Sequence, residues 1–192
     1  PKECTDRISQ MLSDGMDVII TSGAVSQGRY DFMPHVWKKV GGEILFHKVA
    51  VRPGKPVMFG RFRRSTGAAA LFFGLPGNPL AVVCGMRFFV EPYLRHLSGF
   101  PAEQGFSAEL ACEVKKPAEV MRFCLGTLQG VALELRFCPV ERQQSFMLSA
   151  LASASAWALL PAGRAQLSAG ELVECRTLYS SAWLSGSNWG QL

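Results

Sequence analysis

The chain has 192 residues, 48% of them hydrophobic and 18% charged, which is enough apolar content for a buried core and too little charge for a disordered chain. The length allows one domain or two small ones, and no apolar run reaches the ~18 residues of a membrane helix. The net charge of +5 is uneven: residues 1–100 hold 13 Lys and Arg against 7 Asp and Glu (+6), and residues 101–192 hold 7 against 8 (−1).

Taken in chain order, residues 5–15 read as a helix. Ile8, Met11 and Leu12 share one face, and Gly15 is the stop. Residues 17–21 form a short apolar run, a buried strand. Residues 22–28 are a small-residue loop, and a second helix covers about 31–40 with Pro34 in its first turn. Residues 43–51 read as a strand. Arg52-Pro-Gly-Lys-Pro56 is a turn into a further strand over 57–62, and 70–75 is another apolar strand. Pro76-Gly-Asn-Pro79 closes that strand and opens a helix to about residue 97, with Asn78 as N-cap and Pro79 in the first turn. Pro92 should kink this helix late or end its regular part.

Composition shifts at 98–101. Beyond it, residues 106–114, 121–139, 156–160 and 171–177 favour strands, and 149–158 reads as a short helix. The Ser/Gly-rich stretch 180–192, with Trp183 and Trp189, reads as a tail that need not be ordered. The expected fold is therefore α/β: a partial three-layer open sheet over 1–100, then a small all-β barrel or sandwich over 101–179, then the tail. The N-terminal Pro-Lys-Glu-Cys has no initiator Met and no signal pattern, so the chain reads as a fragment or a processed product.

In open α/β sheets, ligands gather beyond the C-terminal strand ends. The loops at 22–28 and 76–79 both follow strands and precede helices, so both belong on that edge. The first offers backbone N–H groups and hydroxyls at a helix start, a geometry that takes anions or simply makes a turn. Asp31 is either a helix cap or a carboxylate that holds Mg²⁺ on a phosphate. Arg52 and Lys55 set two cations around one turn, able to meet a tetrahedral oxyanion or to stay solvated. They sit in the basic stretch Lys48, Arg52, Lys55, Arg61, Arg63 and Arg64, which contains no acid. Nucleic acid is not favoured as the partner, since no aromatic interleaving or binding module accompanies the charge. Arg61, Arg63 and Arg64 read as a solvated loop. His35, His47 and His96 lie apart, so no catalytic triad is supported, and there is no P-loop. Cys4, Cys84, Cys112, Cys124, Cys138 and Cys175 form no CxxC pair and read as reduced, buried thiols of a cytoplasmic protein.

Three motifs in order carry a resemblance: TSGAVSQGRYD at 21–31, GEILFHKVAVRPGKPVMFG at 42–60 and FGLPGNPLAVV at 73–83. With QQSFMLSALASASAWALLPAG at 143–163, they resemble the C-terminal portion of the molybdopterin molybdenumtransferases. That family includes bacterial insertases and the E-domain of gephyrin-like proteins. The resemblance implies a MogA-like molybdopterin-binding domain and a reaction in which adenylated molybdopterin and molybdate give molybdenum cofactor and AMP, assisted by Mg²⁺. It implies that Asp31 is catalytic and binds the metal. Ser22, Gly23, Ser26, Gly77 and Asn78 would face the phosphates of the adenylate, and Arg52, Lys55, Pro56 and Ser145 the molybdate. A homodimer and an adenylyltransferase domain or protein are the implied partners, with neither nucleic acid nor membrane. Alternatives are a scaffold relative that binds without turnover, or the adenylyltransferase itself.

The sequence departs from that pattern at three places. Ala24 stands where the family has a second Gly of its SGG loop, Leu125 where it commonly has Arg, and Ser155 where it has Asn. The family's N-terminal domains and the first strand of the α/β domain are missing from the match, so the chain alone is expected to be inactive.

Overall fold

The computed structural model describes residues 2–25, 32–130, 134–141, 143 and 148–180. The chain divides into two compact units, Pro1–Val49 with Gly54–Gly85, and Ala50–Pro53 with Met86–Leu192. The helical run expected to end the first domain is thus shared between units. Residues 181–192, with Trp183 and Trp189, lie outside the described residues. Ser180, expected in the tail, is buried, and its hydroxyl accepts a hydrogen bond from Arg95.

The first unit opens with α1 (Lys2–Ser13), β1 (Val18–Ser22) and α2 (Met33–Lys39), followed by β2 (Glu43–His47). The two-residue strand β3 (Val51–Arg52) belongs to the other unit. After it come β4 (Met58–Arg63), β5 (Ala69–Leu75) and α3 (Pro79–Gly85). The sheet order is β1-β5-β4-β2, with β1 parallel to β5 and the other pairs antiparallel. Ile8 and Leu12 of α1 and Val36 and Trp37 of α2 bury one sheet face with Ile19, Met58 and Phe72. Leu75 faces the other way, close enough to Gly85 of α3 that a Cβ there would lie 2.8 Å from its Cδ2. Helices on both faces give three layers, as the alternating pattern implied.

Trp37 shows how tightly the first layer is fitted. Its ring is fully buried, stacks on Phe72 at 4.5 Å between centroids, and donates Nε1–H to the Glu43 carbonyl at 3.0 Å. The ring lies against two glycines: a Cβ at Gly42 or at Gly60 would come within 2.3 Å of it. These glycines are required by close approach rather than by backbone conformation.

In the second unit, a five-residue π-helical turn (Met86–Val90) precedes α4 (Glu91–Leu97). Pro92 lies in the first turn of α4. It lacks an N–H, and its ring crowds the carbonyl four residues earlier, so the regular helix gives way to the π turn just before it. The strands are β6 (Phe106–Leu110), β7 (Val114–Lys115), β8 (Met121–Gln129), β9 (Arg136–Pro139), β10 (Ala156–Leu160), β11 (Gln166–Leu167) and β12 (Leu172–Thr177), with α5 (Ser149–Ser153) before β10. The order β10-β12-β6-β9-β8 closes through a β10–β8 pairing, so five strands form a barrel. Its interior holds Ala108, Leu110, Cys124, Phe137, Ala158, Leu160, Val173 and Cys175. On its outside, Phe88 of the π turn stacks on Phe123 at 4.1 Å and meets Trp157 edge-on at 5.4 Å. Buried Arg87 ties the same helical segment to Glu103 at 2.6 Å and to the Thr177 carbonyl at 3.2 Å.

All six cysteines are free. Cys84, Cys124 and Cys175 are buried, while Cys112 is exposed, contrary to the expectation of uniform burial. Burial pushes the three enclosed thiols up, Cys175 to about 12, which leaves them protonated and unreactive. Among the described residues, no helix is long and apolar enough to cross a membrane.

The Trp37 contact yields a prediction. Gly60→Ala should destabilise the protein by roughly 1–3 kcal/mol, because the added methyl meets a ring and a carbonyl that are both fixed. The urea midpoint measures this, with an unchanged m-value if the fold is kept.

Candidate functional site

The parallel ladder of β1 and β5 ends with Ser22 opposite Leu75. Beyond it, the Gly23 N–H donates to the Leu75 carbonyl at 2.9 Å, extending the pairing into the loop. Gly23 has φ +85°, which an L side chain rarely adopts. Gly77, in the loop after β5, lies against it: a Cβ on Gly77 would sit 3.6 Å from the Gly23 Cα. The two small-residue loops therefore share one sheet edge. Ser22, Gly77 and Asn78 are exposed there, and the Asn78 carbonyl takes the first helical bond of α3 from Val82 N–H at 3.0 Å. One residue before the loop, the Thr21 hydroxyl oxygen is enclosed without a hydrogen-bond partner among the described residues.

Three contacts hold the first loop from below. The Ala24 carbonyl accepts from Met33 N–H at 3.1 Å, at the start of α2. Val25 is fully buried, and a Cβ at Gly74 would lie 2.8 Å from its Cγ1, so only glycine fits at 74. The Val25 carbonyl accepts a hydrogen bond from His47 Nε2 at 2.8 Å. His47 was passed over as a lone histidine. The sequence signal was its place at the end of β2, and its role is to fasten the loop.

Ser26 and Asp31 lie outside the described residues, as does Ser145. The bounds of α2 put Phe32, not Asp31, at the N-cap position, with no side-chain cap bond.

The Arg52–Pro56 turn differs from the expected hairpin. The strand expected over 43–51 stops at His47, and Lys48 turns with φ +70°. Lys48 N–H donates to the Val57 carbonyl and Val49 N–H to the Lys55 carbonyl, each at 2.9 Å, which closes the loop base. Residues 50–53 leave to form β3 alongside β8, so Arg52 belongs to the second unit while Lys55 and Pro56 belong to the first. Arg52 and Lys55 are both exposed. Arg61 and Arg64, read as solvated, are in fact paired, with Glu43 at 2.7 Å and Asp17 at 3.0 Å. The acids, Glu43 at the start of β2 and Asp17 just before β1, lie far away in sequence and were invisible in the local pattern. Among the described residues, no group of three or more His, Cys, Asp or Glu converges on one point.

Comparison with known proteins decides the family. Residues 1–96 match the model described as a probable molybdopterin binding domain, and residues 107–178 match the MoeA C-terminal region (domain IV). The chain belongs to the molybdopterin molybdenumtransferase family. It is 34% identical over 178 residues to the molybdopterin molybdenumtransferase of Synechococcus elongatus, covering 93% of this chain and 42% of that protein. With the Bacillus subtilis relative of the same name it shares 32% over 176 residues, covering 91% and 39%. In fold it is similar to the molybdopterin biosynthesis MoeA protein from Pyrococcus horikosii, with a TM-score of 0.70 at 24% identity, covering 92% of this chain and 40% of that one. The chain spans about two fifths of the length of the curated relatives it matches.

The departures from the family pattern have different physical weight. Leu125 is fully buried on β8, opposite Trp157 of β10. Its N–H and C=O are both held by the Gln143 amide, at 2.8 and 2.7 Å. This position supplies packing and offers no charge to a ligand. Ser155, just before β10, takes the Leu128 N–H of β8 on its hydroxyl at 3.1 Å. Ala24 adopts φ +57°, the left-handed region, where a Cβ is strained.

Ala24→Gly should therefore raise stability by about 1 kcal/mol, since strain relief outweighs the added freedom of the unfolded chain. The check is a denaturant midpoint that moves up rather than down, the opposite of an ordinary Ala→Gly change in a loop.

Proposed function

We propose that the full-length protein containing this chain is a molybdenum insertase: it transfers molybdate to adenylated molybdopterin, giving molybdenum cofactor and AMP. The observation that carries this is the meeting of two glycine loops at one sheet edge through the Gly23–Leu75 bond and the Gly77–Gly23 approach. Such an edge presents backbone N–H groups and hydroxyls to an anion at two helix starts. In this reading Ser22, Gly23, Ser26, Gly77 and Asn78 hold the adenylate's phosphates. Arg52, Lys55, Pro56 and Ser145 serve the molybdate, whose double negative charge calls for cationic partners.

The donor chemistry suits a cation carried by substrate. Mg²⁺ keeps several waters and binds through one or two carboxylates plus phosphate oxygens, so it needs no protein cage, and the described residues build none. Asp31 is the carboxylate proposed to hold it, and the bound ion would supply charge neutralisation on the leaving phosphate. The same proposal carries a homodimer, a cytoplasmic location, and an adenylyltransferase domain or protein that supplies the substrate. The 192-residue chain alone is expected to be inactive.

A second reading, a scaffold relative that binds molybdopterin without turnover, is favoured by the loss of charge at buried Leu125. AMP release by the full-length protein, given adenylated molybdopterin, molybdate and Mg²⁺, separates the two. The insertase releases AMP; a protein that binds the adenylate and releases none at any Mg²⁺ level is a scaffold. Asp31→Asn should abolish release and leave the melting temperature unchanged. Gly77→Ala should fold normally, because its Cβ meets only an ordinary 3.6 Å contact, yet weaken adenylate binding by about tenfold by placing a methyl at the phosphate edge.

A further inference from the structure

At the end of the first unit's sheet opposite the glycine loops, a groove of about 560 Å³ opens between α1, the C-terminal end of α2 and the β4–β5 hairpin. Its walls follow from the sequence. Ile8 and Leu12 turn α1 onto the sheet, so Ser9 and Ser13, each one residue on, form the neighbouring stripe of the helix and line the groove. Leu12, Val40 and Phe62 make an apolar floor. Gly41 brings no side chain over the Phe62 ring: a Cβ there would lie 3.6 Å from its Cε2.

The polar groups on the rim are fixed in place yet unused by the fold. Backbone bonds close the hairpin tip: Arg64 N–H donates to the Ala68 carbonyl at 2.9 Å and Gly67 N–H to the Arg64 carbonyl at 3.0 Å. Arg64 also pins the tip to the chain ahead of β1, donating to the Asp17 carboxylate at 3.0 Å and the Met16 carbonyl at 2.7 Å. None of these contacts uses the exposed hydroxyls of Ser65 and Thr66, which, like that of Ser9, make no hydrogen bond among the described residues. Ser13 donates to the Ser9 carbonyl at 3.0 Å and keeps its oxygen as an acceptor. Arg63 lines the same groove, is exposed, and has no hydrogen bond or ion pair among the described residues. The acids bonded to this hairpin are already taken, Glu43 by Arg61 at 2.7 Å and Asp17 by Arg64, so neither neutralises Arg63. Lys38 and Lys39, exposed in the last turn of α2 beside Val40, add to the positive side.

These parts define a class of ligand. The volume falls in the range of small-molecule sites, roughly 300–1,000 Å³. The apolar floor suits a flat apolar body, and the guanidinium fork of Arg63 suits one carboxylate or sulfonate, with hydroxyls around it. We propose that this groove binds a small aromatic monoanion, a carboxylate or a sulfonate. The site shares no residue with the glycine loops or with the molybdate residues, so it stands or falls apart from the insertase reading.

The test uses the full-length protein at low ionic strength, where screening is weakest. It is titrated with anilinonaphthalene sulfonate, read by fluorescence, and with neutral phenylnaphthylamine, which keeps the aromatic body and lacks the anion. The variants are Arg63→Gln, Arg63→Lys and Ser13→Trp, with Arg136→Gln, an exposed cation of the second unit, as the control. The sulfonate should bind saturably. Arg63→Gln should weaken it by about tenfold, the size of one lost charged hydrogen-bonding partner, and leave the neutral compound and the melting temperature unchanged. Arg63→Lys should retain part of the binding. Ser13→Trp should fill the groove and remove both compounds. Arg136→Gln and saturating adenylated molybdopterin should change neither.

The site is overturned if the wild type shows no saturable sulfonate binding, or if Arg63→Gln binds the sulfonate as the wild type does. An equal loss in Arg136→Gln overturns it as well, since the effect would then be one of overall charge. Displacement by adenylated molybdopterin does the same by moving the sulfonate to the loop edge. Should Ser13→Trp melt early, Arg63→Gln decides alone, because its exposed side chain bonds nothing in the fold among the described residues. If the sulfonate behaves as expected and the full-length protein releases no AMP, the groove stands and the insertase reading fails.

Discussion

The parallel ladder between β1 and β5 ends with Ser22 opposite Leu75, and the next amide, Gly23 N–H, still donates to the Leu75 carbonyl. That bond sets the level at which both chains leave the sheet. Gly23 can follow it because it accepts a left-handed φ, and Val25 can turn down into the core because Gly74 has no side chain. His47 then holds the Val25 carbonyl from a third strand. The loop is thus anchored through backbone groups, which leaves Ser22 at the surface and Gly77 against its neighbour. A loop edge of this kind owes little to any single side chain, and it cannot be moved without breaking the sheet.

The second unit answers a different constraint. Its barrel closes when β8 pairs with β10 over residues 122–126 and with β9 over 126–129. The remaining edge of β8, at Met121 and Arg122, takes the two-residue strand Val51–Arg52. A cation from the basic stretch is thereby delivered to the barrel, while Lys55, three residues on, stays in the first unit. The positive charge that looks continuous in sequence is divided by topology, and Arg122 gains a neighbour from seventy residues upstream. Farther along β8, Leu125 is given over to packing, with Gln143 satisfying its backbone N–H and C=O.

Local pattern carried most of the first unit. Apolar runs gave β1, β4 and β5, and proline and glycine positions marked α2 and α3. The alternation of strand and helix placed both loops on one edge. What stayed hidden was non-local. The excursion of residues 50–53 depends on a partner strand far along the chain, and Lys48 carries no residue-type sign of its positive φ. Arg61 and Arg64 looked solvated because Glu43 and Asp17 lie 18 and 47 residues away in sequence. Pro92 was correctly read as a disturbance, but its resolution as a π turn before α4 depends on seating Phe88 between Phe123 and Trp157. The family motifs located the loops; they did not reveal His47 beneath them or Arg122 beside Arg52.

The central claim is that residues 22–25 and 76–79 act as one anion-binding edge. Amide hydrogen exchange on the full-length protein, with and without adenylated molybdopterin, tests it most directly. The account predicts that peptides covering both loops slow together on binding, while those covering the opposite end of the same sheet, around residues 64–68, do not change. Saturating ligand that leaves either loop exchanging at its free rate would contradict it.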